Sequence, residues 1–303
     1  MLSRLTISFA LLLMMGGIAA AQQTGGSLPS LESELSDEER RELPIRRFKK
    51  GALQKLAFEL GTSTGGGLDL HHIETSIGTG IPLGSFDNIL VVEPSFGVDF
   101  VDTRPDVDLP SELYDIGVNL FWRKPLNDRW SAMVLSSPSL RSDLTTTERG
   151  FRLFALGLLT YEWVPEKLSI SGGAVALGRS DLPLLPAIGL KWTPTPRWRA
   201  DINFPRPRIS YRLLKDGSSS ETWCYLAGGL GGQTWAITRD DGRPDEASIR
   251  ELQLTCGVEQ IRDGGGGLFA ELGFAFGRRL EYEHRQQTVD FGESLLVNGG
   301  WKW

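Results

Sequence analysis

The chain has 303 residues, enough for one large all-β domain or two ordinary ones, so length alone leaves the domain count open. Glycine supplies 36 residues, above its usual share of roughly 7%, while hydrophobic residues make up 40% and charged residues 23%, a balance that argues against a helical core and for many strands and turns. The formal net charge of −6 is a poor electrostatic match for nucleic acid, whose phosphates select cations.

Residues 1–21, MLSRLTISFALLLMMGGIAAA, carry one cation at Arg4, an apolar run to about Ile18, and Ala19 and Ala21 in an A-x-A arrangement. They read as a secretory signal peptide cut after Ala21. No later stretch offers the roughly 18 apolar residues of a spanning helix. A chain of this kind crosses a membrane only as a closed barrel, which leaves no strand edge unpaired. Residues 22–50 are rich in charge and buried-type residues are few, so they read as a flexible periplasmic leader. Ser36 and Glu39 have capping-box spacing, which predicts a short helix over about 31–43, ending before Pro44.

From about Gly51 the period is two. Tyr114, Ile116, Val118, Leu120 and Trp122 alternate with Asp115, Gly117, Asn119, Phe121 and Arg123; Leu268, Ala270, Leu272, Phe274 and Phe276 alternate with Phe269, Glu271, Gly273, Ala275 and Gly277. Such half-polar runs are strands. Turn signals place them near 52–61, 70–80, 88–100, 113–124, 129–138, 150–163, 167–178, 184–193, 197–204, 207–214, 221–236, 247–262, 267–280 and 292–303, about fourteen within a range of roughly 10–16. FPRPR (204–208) is either a tight turn or a bend within one strand. The loops 102–112 and 137–150 are expected to face outward, and DGGGG (263–267) to make a short periplasmic turn.

A soluble sandwich gives the same alternation, so the position of the aromatics decides. On the face from Phe151 to Trp163, aliphatic residues lie between Phe151 at one end and Tyr161 and Trp163 at the other. The steps from Phe151 to Tyr161 cover roughly 33 Å of strand, or about 25 Å along a membrane normal when tilted, the height of an outer-membrane apolar band. Tyr114 and Trp122 bracket a shorter band. The chain ends on LVNGGWKW, with Leu295, Val297, Gly299, Trp301 and Trp303 on one face. Trp301 and Trp303 resemble the C-terminal signal that barrel-assembly machinery reads in outer-membrane proteins.

The polar residues suggest a lumen. Arg206, Arg208 and Arg212 share one face, Arg197 and Arg199 share the corresponding face of the preceding strand, and Glu251, Glu259 and Glu271 project inward from later strands. Opposed cationic and acidic walls set ion preference in a diffusion pore; the alternative is rim charge and structural ion pairing. Cys224 and Cys256 have their midpoint at residue 240, within the turn RDDG (239–242), so an unbulged hairpin would set the sulfurs opposite each other for a disulfide, and a bulge would leave two small hydrophobes. Neighbouring His71 and His72 must point to opposite faces. With His284 in the charged segment EYEHRQQ, they give no nucleophile motif, and GTGIPLG (78–84) lacks the spacing and the helix of a phosphate loop.

The stretches WTPTPRWRADINFPRPRISYRL (192–213), WCYLAGGLGGQTWAI and ELGFAFGRRLEYE resemble a family of uncharacterised outer-membrane β-barrel proteins of planctomycete-type and related bacteria, with the earlier strands matching by pattern. That resemblance implies fold and location, and no activity. The expectation is an all-β, transmembrane antiparallel barrel over 51–303 that passes small solutes and contacts outer-membrane lipid and the assembly machinery. It carries no catalytic residue, metal or cofactor. The alternatives are a non-conducting structural or adhesion barrel, and an outer-leaflet hydrolase dependent on His71 or His72.

Overall fold

The computed structural model describes residues 45, 49, 51–85, 88–176, 184–284 and 287–303. The signal peptide, the leader and its helix lie outside the described residues, apart from positions 45 and 49. No described helix is long and apolar enough to cross a membrane.

The period-two runs form β1 (Leu53–Thr64), β2 (Leu68–Ser85), β3 (Asn88–Thr103), β4 (Glu112–Pro125), β5 (Trp130–Ser142), β6 (Phe151–Val164), β7 (Leu168–Ala176), β8 (Leu185–Thr195), β9 (Trp198–Asn203), β10 (Arg208–Asp216), β11 (Ser220–Gly231), β12 (Thr234–Thr238), β13 (Pro244–Arg262), β14 (Gly267–Tyr282), β15 (Thr288–Asp290) and β16 (Ser294–Lys302). Each of β1 to β11 pairs antiparallel with its sequence neighbour; β11 then pairs with β13, β13 with β14, β14 with β16, and β16 with β1. The result is a closed antiparallel barrel of fourteen strands among the described residues, with β12 and β15 attached to its rim. Residues 204–207 form a turn, so β9 and β10 are separate strands.

Closure runs to the last residue. Ala57 faces Lys302 and Thr64 faces Leu295 in the β1–β16 ladder, and Trp303 exchanges backbone hydrogen bonds with Leu56 at 2.8 and 3.1 Å. Lys49 Nζ lies 3.2 Å from the centre of the Trp303 ring, a cation–π contact that caps the seam.

The alternation sorts side chains as the hydrophobic effect requires for a barrel in lipid. Leu268, Leu272 and Phe274 of β14, Leu295 and Val297 of β16, and Ile188 of β8 stand exposed on the outer surface, while Glu271 and Asn298 on the alternate positions meet inside at 3.4 Å. An exposed apolar belt of this extent is a lipid-contacting surface. Its aromatics are unequal. Trp130 stacks against Tyr161 at 4.9 Å and Trp198 against Tyr211 at 5.0 Å, at the end that holds both strand termini and the short turns. Phe96, Phe100, Phe151 and Phe276 occupy the other end. Tyr114 joins them there, 6.4 Å from Phe96, with its hydroxyl donating to Glu112, so each end has rings with a polar handle that can meet water.

The long connections, 104–111, 143–150 and 232–243, all emerge at that second end, and the short turn 263–266 at the first. Wall height varies around the barrel: β2 and β13 have 18 and 19 residues, whereas β7 and β10 have 9 and β9 has 6.

Candidate functional site

The tall part of the wall is covered from within its own chain. The expected single strand over 221–236 is broken at Gly232, at φ +89°, where a Cβ would lie 2.0 Å from the carbonyl oxygen of Ile249. Only glycine fits so close an approach. Beyond this kink β12 stays paired with β13, Thr234 facing Ser248 and Thr238 facing Pro244. Its other edge leaves the wall and meets β5, Ala236 facing Ser142. Trp235 and Ile237 of β12 are buried with Leu68, Leu113, Ile249, Leu280, Tyr282 and Phe291, drawn from the upper ends of strands around the barrel and from the connection before β16. A hydrophobic cover thus lies over the mouth at the long-loop end.

Polar contacts fasten it. The Asp143 carboxylate accepts from Thr145 N and Thr146 N at 2.9 Å each, from Thr145 Oγ1 at 2.7 Å and from Thr238 N at 2.6 Å. Burial alone would raise its pKa, but the hydrogen bonds from Thr146, Thr145 and Thr238 outweigh that and hold it below the ordinary value. Arg239 contacts Asp108 at 2.7 Å, and Arg152 of β6 reaches Glu246 of β13 at 2.8 Å.

Inside, the sequence-predicted residues separate. Arg199, Arg208, Arg212, Glu251, Glu259 and Glu271 occupy inward positions, and Arg206, in the turn before β10, lines the same cavity as Arg208. Arg197 does not join them: it is exposed in the β8–β9 turn, because β9 begins only at Trp198. Of the two expectations for these charges, opposed walls or structural ion pairs, the contacts fit the second. Arg208 pairs with Glu259, Arg199 with Asp201 at 2.5 Å, and Arg212 and Lys215 converge on Glu221 at 3.5 and 2.6 Å. Opposite charges stand side by side along and across the strands, so the cations and anions interleave. Lys55 with Glu93 at 2.6 Å and Arg141 with Asp115 at 2.7 Å extend this polar arc.

Nearer the short-turn end the inner face of several of these same strands is apolar, which the outward alternation of β6 conceals. Val91, Phe121, Leu135, Leu156, Val175 and Leu185 are direct partners in successive ladders from β3 to β8. They lie on the inner face, alternating with outward Leu159 and Trp163. The signal was present in Phe154, Leu156 and Leu158, an apolar run on the face that a water-filled lumen would make polar.

The cysteines are free thiols. The turn is centred on Asp241, so Cys224 faces Val258 and Cys256 faces Leu226. The residues are therefore diagonal on the outer face, and the predicted disulfide is not formed. Alkylation of the denatured, unreduced protein is expected to label both cysteines, and an oxidised pair on mass spectrometry would contradict this register.

His71 is exposed and bonds Thr62 Oγ1 at 2.8 Å. His72 points inward, with Nδ1 2.9 Å from Asp99 and Nε2 3.3 Å from Glu74. Both ring nitrogens are engaged by carboxylates, which leaves neither to serve a nucleophile. Around His72, Arg206, Tyr225, Glu251 and Glu271 lies a cavity of about 390 Å³ beneath the cover. Among the described residues no cluster of side chains suits a metal ion.

The chain is similar to the crystal structure of the beta domain of the Bordetella autotransporter BrkA, at 10% identity and a TM-score of 0.34 over 83% of this chain and 100% of that one. It is also similar to Pseudomonas aeruginosa OccK5 (OpdH), at 11% identity and a TM-score of 0.31 over 84% of this chain and 99% of that one. No curated protein matches the sequence. A family model does match residues 102–293, most of the barrel, and by that match the chain belongs to the family described as domain of unknown function DUF6268.

Proposed function

We propose that the protein is an exported outer-membrane barrel that passes small solutes through a narrow lumen whose mouth is covered by β12. The observation that carries this reading is the cavity of about 390 Å³ bordered by charged side chains beneath the cover. A fourteen-strand circumference exceeds the eight-strand size at which side chains just fill a barrel. The outer apolar belt supports residence in lipid, the N-terminal signal-peptide pattern supports export, and the C-terminal Trp301 and Trp303 support recognition by the assembly machinery.

The hydrophobic cover favours a second reading, a non-conducting structural barrel. The hydrolase reading is the least supported, given the engagement of both His72 nitrogens. Conductance of the refolded mature protein in a planar bilayer separates the first two. Low, steady conductance with a mild anion preference is expected, and Arg206→Gln should move the zero-current potential in a salt gradient more than Arg208→Gln, whose cation is already paired with Glu259. Silence from protein that shows heat-modifiable migration, in both the native chain and a variant with its cover unfastened, would exclude the pore.

A further inference from the structure

Three side chains that line the cavity under β12 carry polar atoms left without a partner inside the protein. Trp235 is 2% exposed and Asp99 5% exposed, and both line the cavity together with Gln233. Trp235 Nε1, Asp99 Oδ2 and Gln233 Oε1 are each buried without a hydrogen-bond partner. One such atom is costly in a folded protein, and three on side chains that line one cavity point to an occupant toward which these side chains turn.

The chemistry of the three atoms narrows that occupant. Trp235 offers only a donor, Asp99 Oδ2 only an acceptor, and Gln233 either end of its amide. A hydroxyl group donates and accepts at once, so several hydroxyls on one molecule answer all three. An anion supplies no donor and would bring a second negative charge to Asp99. The remaining charges need little from a ligand: Asp99 Oδ1 is bonded to His72, Glu251 to Arg278 and Gln253, Glu271 to Tyr225 at 2.6 Å, and Arg208 to Glu259. A net charge carried into this site would therefore meet no matching counter-charge except at Arg206. The volume of about 390 Å³ lies within the roughly 300–1,000 Å³ of small-ligand pockets.

We propose that this cavity is a binding site for a small, uncharged, polyhydroxylated solute of the size of a mono- or disaccharide, held by Trp235, Asp99 and Gln233 beneath the β12 cover. The inference deepens the pore reading by naming a solute class, and it rests on that reading only for the route by which the solute arrives.

The test is titration calorimetry on the full mature chain folded in detergent micelles, with glucose, maltose and gluconate as probes. Saturable binding of glucose or maltose is expected, with gluconate at least tenfold weaker. Trp235→Phe, which keeps the ring and removes the donor, should weaken the neutral sugars at least fivefold, and Gln233→Leu should act in the same direction. Heat-modifiable migration establishes that each variant is folded. Absence of saturable heat with both neutral probes in the folded native chain would overturn the proposal and assign the unpaired atoms to water. Gluconate binding as tightly as glucose, and lost in Arg206→Gln, would overturn it in favour of an anion site. Because binding is read in micelles without any current, a sealed barrel can still bind and an open pore can fail to, so this result stands apart from the conductance result.

Discussion

Replacing Arg278 by methionine is expected to lower folding stability by about 3–5 kcal/mol, the cost of breaking a buried ion pair by removing one partner. The Arg278 side chain is fully buried, and its Nε donates to Glu251 at 3.1 Å. Its Nη1 donates to the carbonyl oxygens of Gly65 and Leu68, each at 3.0 Å. One guanidinium from β14 thus ties the β1–β2 turn and β13 together under the cover. Methionine has a comparable stem and no donors, so the variant leaves the buried Glu251 carboxylate with the Gln253 amide but no cation, and the two carbonyls without this donor. Urea titration of the folded barrel in lipid vesicles, read by gel mobility, measures the loss. Adding Glu251→Gln to Arg278→Met should restore part of it, since the stranded charge is then gone. A loss below about 1 kcal/mol for the single variant is the value of a solvent-exposed pair, and it would show that water reaches this guanidinium.

Asp143→Ala is expected to raise single-channel conductance severalfold while leaving the barrel folded. The carboxylate fastens β12 to the β5–β6 connection through Thr238 N at 2.6 Å and orders its own loop through Thr145 and Thr146. Hydrogen bonds to a charged acceptor contribute about 1.5–3 kcal/mol each, enough for their loss to shift the cover between seated and displaced states. The same latch predicts a pH dependence. The folded pKa of Asp143 is lowered from an unfolded value of about 3.9. Its stabilisation is therefore fully present above that unfolded value and is lost as pH falls through the lowered folded pKa. Conductance of the native chain should rise on acidification below about pH 4, and Asp143→Ala should flatten that rise. An acid response of equal size in the variant would place the titrating group elsewhere.

The wall of the barrel was legible because each strand had only to satisfy a local rule, apolar outward at every second residue. The fourteen expected segments correspond to the fourteen wall strands, and of the two readings left open for FPRPR the turn is the one that forms. What the sequence hid depends on non-local geometry. The span 221–236 reads as one strand because its alternation continues through Gly232, and only the approach of the Ile249 carbonyl shows that the chain must turn there. The inner row from Val91 to Leu185 is a property of registers between strands, invisible when each is read alone. The cysteine pairing failed by the smallest margin a hairpin allows, since moving the centre of the turn from residue 240 to Asp241 changes which residues face each other without changing which face they occupy. Of the candidate lumen residues, Arg197 lies in an exposed turn, and alternation could not reveal that most of the others are paired within the chain.

The seam between β1 and β16 also governs when the barrel can exist. Ala57 meets Lys302 and Leu56 meets Trp303, contacts that join the first and last wall strands and close the largest loop of the barrel. Closing such a loop comes at an entropic cost before most of its contacts can reward it. Until the final tryptophan is in place, both seam strands expose unpaired backbone groups, a state that lipid penalises and water permits. Trp303 is therefore a residue on which completion of the ring depends, and a chain without the strand LVNGGWKW would be left as an open sheet with two sticky edges.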